Sequence, residues 1–224
     1  MAWAVHTYTA LGAAVGFLAL QAAFTGDYQL TFIFLSVAFA IDASDGALAR
    51  YVRAKQVIPW IDGTLLDNIV DYLTYVVVPV AIFTRPGVLP AGLEWTALTV
   101  LLASAYGFSR TDAKGLIDHY FLGFPSYWNV MAFYMIALGT TPITNLIVML
   151  TAVVFVFVPM RWLYPSRMEK GRMAIISLGL VWAVMGLVLI AQLPEPSAAL
   201  AWASLFYPVI YTVGSVVFHF SSDS

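Results

Sequence analysis

The stretch DASDGALARYVRAKQVIPWIDGTLLDNIVD, residues 42–71, decides how this chain is read. It places Asp42, Asp45, Asp62, Asp67 and Asp71 close together, with Arg50, Arg53 and Lys55 between them. Apolar sequence flanks it on both sides, FIFLSVAFAI before and YLTYVVVPVAIF after. An acidic side chain near the centre of a membrane helix costs roughly 2.5–3.5 kcal/mol, so four of them cost about 10 kcal/mol unless something compensates. A bound cation is the obvious compensator.

The rest of the chain sets the environment of that stretch. Of 224 residues, 62% are hydrophobic and only 10% are charged, against about 25% charged in an ordinary soluble domain. Mean hydropathy is +0.88. Long apolar runs predominate over short alternating ones, which favours helical spans over a barrel. The expected fold is all-α, a polytopic membrane bundle forming a single embedded domain over residues 1–224. Cysteine is absent, which excludes thiolate ligands and cysteine nucleophiles. The first apolar run lacks a basic leader and is followed by further runs, so it reads as a retained span. No nucleic-acid partner is expected.

Apolar runs of membrane length, broken at Pro, Gly and charge clusters, give about eight spans. They cover roughly residues 4–24, 28–52, 62–83, 93–109, 125–138, 143–163, 173–193 and 197–220. Threading these alternately across a membrane puts Arg50, Arg53, Lys55, Arg110, Lys114, Arg161, Arg167, Lys170 and Arg172 on one side. Only Arg85 falls on the other. The positive-inside rule then makes the first side cytoplasmic, with both termini and the acidic stretch toward it.

At helical spacing Asp42, Asp45, Gly46 and Ala49 share one face of the second span, and Gly63, Asp67 and Asp71 form a stripe on the third. Two spans joined by a short connection thus turn four carboxylates toward each other. A cluster of carboxylates without His or Cys is a hard-oxygen site, suited to Mg²⁺, Mn²⁺ or Ca²⁺ rather than Zn²⁺ or copper. Four carboxylates can hold two ions bridging a phosphate, with one also accepting a proton. Two other readings exist: an ion-pair network with Arg50, Arg53, Lys55 and Arg110, and the ion path of a transporter. An ion-pair network does not need the glycines at 46 and 63, and a transporter path calls for acids distributed through the membrane depth.

The pattern Asp42-x-x-Asp45-Gly46-x-x-Ala49-Arg50, followed by Gly63-x-x-x-Asp67-x-x-x-Asp71, resembles the signature of the CDP-alcohol phosphotransferases. Twelve residues separate Arg50 from Gly63 where the usual family pattern has eight, and the longer spacer is similar to the bacterial branch that uses choline. The stretches VHTYTA at 5–10 and FLGFPSYWNV at 121–130 resemble the same branch. The resemblance implies transfer of a phosphatidyl group from CDP-diacylglycerol to choline, giving phosphatidylcholine and CMP, with Mn²⁺ or Mg²⁺ required; the alternative within the family is glycerol phosphate, serine or inositol phosphate as acceptor. It implies that Asp42, Asp45, Asp67 and Asp71 hold two metal ions and that Asp71 is also the base. Gly46, Ala49 and Gly63 would leave room for the CDP moiety, and Arg50 would help to hold the diphosphate. A homodimer in a bacterial inner membrane is implied as well.

Arg110, at the end of the fourth span, either reaches the diphosphate or marks the positive side. For choline, a quaternary ammonium without hydrogen-bond donors, aromatic faces with a nearby carboxylate are the usual host. Tyr106, Tyr120, Tyr127 and Trp128, with Asp118 and Asn129, lie at suitable depth. For any single aromatic at that depth, interfacial packing is the stronger reading.

Overall fold

The computed structural model describes residues 1–110, 120–163 and 171–221. Helix α1 (Ala2–Thr25) stops at Gly26, whose positive φ of 80° lets its N–H return to the carbonyls of Ala22 and Ala23. Asp27 then caps α2 (Tyr28–Tyr51), its carboxylate accepting from Leu30 N–H at 2.9 Å. The two helices form a tight antiparallel pair.

The twelve-residue spacer after Arg50 contains a helix of its own, α3 (Ala54–Val57). Ala54 and Ile58 bury themselves against Ala2 at the start of α1. The longer spacer therefore adds one helical turn that docks on the first helix. Asp62 caps α4 (Gly63–Asp71), accepting from Thr64 N–H at 2.9 Å and Leu65 N–H at 3.1 Å, so this fifth acid of the stretch is a helix cap.

Helix α4 continues without a break through a π-helical segment, Tyr72–Val77, into α5 (Val78–Phe83). Val78 N–H reaches back five residues to Leu73 O. Pro79 supplies the cause: it has no N–H for the carbonyl of Tyr75, and a widened turn is one way a helix absorbs that loss. Helix α1 lies directly on this rod. A Cβ on Gly12 would stand 2.7 Å from Val70 Cγ1, and one on Gly16 2.9 Å from Leu73 and Thr74. The Gly12-x-x-x-Gly16 pair thus permits an approach that larger residues would block.

The remaining helices are α6 (Leu98–Ser109), α7 (Trp128–Ala137), α8 (Pro142–Phe157), α9 (Arg172–Ala191), α10 (Ala198–Ser204) and α11 (Phe206–Ser221). Among the described residues, five helical rods are long and apolar enough to cross a membrane: Ala2–Thr25, Tyr28–Tyr51, Gly63–Phe83, Arg172–Ala191 and Ala198–Ser221. Helices α6, α7 and α8 are apolar but shorter. Each of the eight expected spans contains helix, and the protein is an all-α membrane bundle. Its core runs through Val76, Phe83, Leu89, Val100, Trp128, Met149 and Leu189, while Leu180, Val184 and Val213 are among many large apolar side chains left exposed. On a membrane-length helix such exposure is the lipid-facing side.

One element departs from the expected pattern. The sixth span was expected to reach residue 163, but α8 ends at Phe157, with Val158 extended before Pro159. The chain then forms strand β2 (Arg161–Leu163), which pairs antiparallel with β1 (Tyr120–Leu122). This ribbon is anchored by Leu163 N–H to Ser215 Oγ at 3.1 Å and by Tyr211 Oη to Leu163 O at 2.9 Å. At the opposite end of the bundle, Arg85 donates to Phe24 O at 2.8 Å and Asn145 to Val88 O at 2.8 Å. A cavity of about 610 Å³ lies there, far from the acidic stretch. Its Asn145 and Gln29 amides are already bonded to backbone carbonyls.

Candidate active site

Helices α2 and α4 bring Asp42, Asp67 and Asp71 together. Each offers a carboxylate oxygen, and these atoms all lie within 4.8 Å of one another. At that separation two unit negative charges repel by about 3 kcal/mol at an effective dielectric of about 20. The group calls for a proton or a cation. Oxygens that share one Mg²⁺ at about 2.1 Å stand no more than about 4.2 Å apart, so the three side chains would have to turn inward to hold one ion. The donor set is all carboxylate, and all three side chains are half-buried, open enough for an ion to enter. These residues fit a hard divalent cation.

Asp45 stands one turn along α2, only 6% exposed, and accepts a 2.7 Å hydrogen bond from Thr9 Oγ1 on α1. It is the fourth acid of the motif but lies outside the group of three. Beside it, Tyr8 Oη and Ser44 Oγ are 2.9 Å apart. Thus α1 carries hydroxyls onto the acid-bearing face of α2.

The small residues do different jobs. Arg50 folds back along α2, as long helical side chains do, and its Nη1 would sit 3.4 Å from a Cβ on Gly46. Gly46 therefore makes space beneath the guanidinium. Ala49 packs on the spacer-helix cluster. Gly63 faces His6, whose Cε1 would lie 3.3 Å from a Cβ there, so at this position the space is filled by an imidazole from α1. His6 is buried, and its Nε2 has no hydrogen-bond partner among the described residues. Arg110 follows the last residue of α6 and is half-buried.

The aromatic residues expected around choline separate into distinct settings. Trp128 is fully buried; its indole N–H donates to Ser104 Oγ at 2.8 Å and its ring meets Phe124 at 5.0 Å. It is a core residue, because both its polar atom and its faces are already engaged. Tyr106 is 58% exposed and tilts against Phe157 of α8. Tyr127 is half-buried, its ring 5.8 Å from that of Tyr211. Asn129 accepts from Val130 N–H at 2.8 Å. Tyr120 sits in β1, and Asp118 lies outside the described residues.

The motif sits on two helices at one end of a bundle, and the chain's relatives decide its family. A phosphatidylcholine synthase from Legionella pneumophila is 39% identical over 219 residues, covering 94% of this chain and 85% of the relative. One from Borreliella burgdorferi is 40% identical over 77% of this chain and 74% of the relative. Another, from Pseudomonas aeruginosa, is 36% identical over 86% and 81%. The chain belongs to the phosphatidylcholine synthase family. No family model matches it.

For a phosphatidylcholine synthase relative, the sequence left two neighbours of the acids unnoticed. Tyr75 Oη donates to Asp42 Oδ2 at 2.8 Å. Its signal was the continuation of the four-residue step Gly63, Asp67, Asp71. Thr9 was the other, a hydroxyl among the small residues of α1; nothing in its own neighbourhood points to Asp45.

Proposed function

We propose that the protein transfers the phosphatidyl group of CDP-diacylglycerol to choline, releasing CMP. The observation that carries this reading is the convergence of Asp42, Asp67 and Asp71 oxygens within 4.8 Å, in a chain whose relatives are phosphatidylcholine synthases. Asp42, Asp67 and Asp71 hold a divalent ion, Mn²⁺ or Mg²⁺, and Asp45 completes a site for a second. Bound there, the ions would neutralise the diphosphate and ease departure of CMP.

The side chains supply the remaining roles. Asp71 accepts the proton of the choline hydroxyl as its oxygen bonds to the phosphatidyl phosphorus and the bond to the bridging oxygen of the diphosphate breaks. Arg50 and Arg110 hold phosphate oxygens, and the missing Cβ of Gly46 gives the nucleotide space under Arg50. Ala49 and Gly63 keep helix packing close around that space. Tyr127 and Tyr106 offer aromatic faces to the quaternary ammonium, with Asn129, Tyr120 and Asp118 nearby in sequence; Trp128 forms the wall behind them. The site opens toward the cytoplasm of a bacterial inner membrane, an orientation supported by the one-sided distribution of Lys and Arg. The enzyme works as a homodimer.

Purified protein given CDP-diacylglycerol, Mn²⁺ and labelled choline should yield phosphatidylcholine and CMP. Serine, glycerol phosphate and inositol phosphate offered in place of choline should yield nothing. CMP release with one of those acceptors, and none with choline, would overturn the assignment.

A further inference from the structure

We infer that Tyr75 is the positioning residue that holds Asp42 in its metal-binding orientation, an inference that rests on the metal-dependent reading above. Tyr75 follows Asp71 by four residues, as Asp71 follows Asp67. On a regular α-helix a four-residue step overshoots the 3.6-residue turn, so side chains at this spacing drift steadily around the axis. The turns from Tyr72 to Val77 are wider, closed by bonds to the fifth residue back. There a four-residue step falls short of a full turn instead. The drift reverses, and the side chain at position 75 swings back over the face that carries Asp67 and Asp71, toward α2. Pro79, which leaves the Tyr75 carbonyl without an N–H four residues on, favours that widening.

The consequence is a direct side-chain contact. The phenol donates to Asp42 Oδ2 at 2.8 Å, a charge-assisted bond to a carboxylate that also belongs to the group of three. With Oδ2 engaged, the Asp42 carboxylate is held in one orientation beside Asp67 and Asp71. Tyr75 is itself half-buried and packed against the main core, so the donor is fixed before an ion arrives. Hydrogen bonds of this kind to a ligating carboxylate typically change metal affinity by about 10–100-fold.

The test is Tyr75→Phe, which removes one hydroxyl and keeps the ring. Purified parent and variant in nanodiscs are titrated with Mn²⁺ by calorimetry. The variant should bind about 10–100-fold more weakly, and saturating Mn²⁺ should restore kcat. A merely structural role would not be rescued by metal. If the parent binds Mn²⁺ and the variant binds it equally well, or if kcat falls with affinity unchanged, the role of Tyr75 is overturned and the functional reading stands. If the parent itself binds no Mn²⁺, the metal reading fails and takes this inference with it.

Discussion

Thr9 and Asp45 are joined by a 2.7 Å hydrogen bond between two buried side chains, the hydroxyl of α1 donating to the carboxylate of α2. Replacing Thr9 by Val keeps the shape and deletes the donor. Asp45 then stays buried with one partner fewer, at a cost of about 1–3 kcal/mol. Thermal or denaturant unfolding of Thr9→Val should show that loss, and Thr9→Ser should recover most of it. Parent-like stability in the valine variant would mean that Asp45 is satisfied by another group.

Asp71 and Asp45 should fail differently when their charge is removed. Asp71→Asn deletes the proposed base from a group in which Asp42 and Asp67 still offer oxygens, so turnover should fall further than Mn²⁺ affinity. Asp45→Asn retains an acceptor for Thr9 but loses the charge proposed for the second ion, so turnover and binding should fall together. Calorimetric Mn²⁺ titrations beside CMP release measure both quantities. Parent-like activity in the two variants would sink the metal-plus-base assignment.

Two adjacent aromatics give a similar contrast. Trp128 is fully buried with its indole N–H on Ser104, so Trp128→Ala should cost about 3–5 kcal/mol of stability. Its effect on activity should follow from loss of folded protein. Tyr127 is half-buried, and Tyr127→Leu should raise the KM for choline while leaving the KM for CDP-diacylglycerol in place. Initial-rate measurements varying one substrate at a time distinguish these outcomes. A selective choline effect at Trp128, with stability intact, would return that ring to the binding site.

Much of this was legible because the motif's chemistry is local. Asp42, Asp67 and Asp71 meet because four-residue steps keep a helix face and a short connection aligns two helices, both visible in residue spacing. The same spacing could not place Asp45 against Thr9, whose partners are 36 residues apart. Asp62 looked like one more acid of the cluster, yet a residue just before a helix start is the commonest capping position. Tyr75 escaped notice because the α-helical period assumed for residues 62–83 does not hold after Asp71. Position 128 illustrates a different limit: a Trp near a membrane interface and a Trp in the core have the same sequence signature, and only the position of Ser104 separates them. The strand at Arg161–Leu163 was likewise masked by an apolar run that reads as helix until Pro159 is given its due weight.

Gly123 provides a last test, because the ribbon joins α7 through it. Its φ is +84°, and a Cβ there would stand 2.5 Å from the carbonyl oxygen of Val156, a backbone atom that cannot rotate away. Its own N–H donates to Met160 O at 2.9 Å, and the next N–H, of Phe124, donates to Phe155 O at 3.0 Å. Gly123→Ala therefore combines a left-handed conformation, about 1–2 kcal/mol for a residue with a Cβ, with a collision that must displace the end of α8 or the start of the Tyr127 segment. Gly139 is the matched control: its φ is +57° and nothing lies within 4 Å of its missing Cβ. Gly139→Ala should lose only the conformational part. Unfolding measurements should rank Gly123→Ala well below Gly139→Ala, and residual Gly123→Ala enzyme should show a raised choline KM because Tyr127 follows four residues later. Equal stability losses in the two variants would mean that the carbonyl of Val156 moves freely and that the ribbon does not hold this end of the bundle.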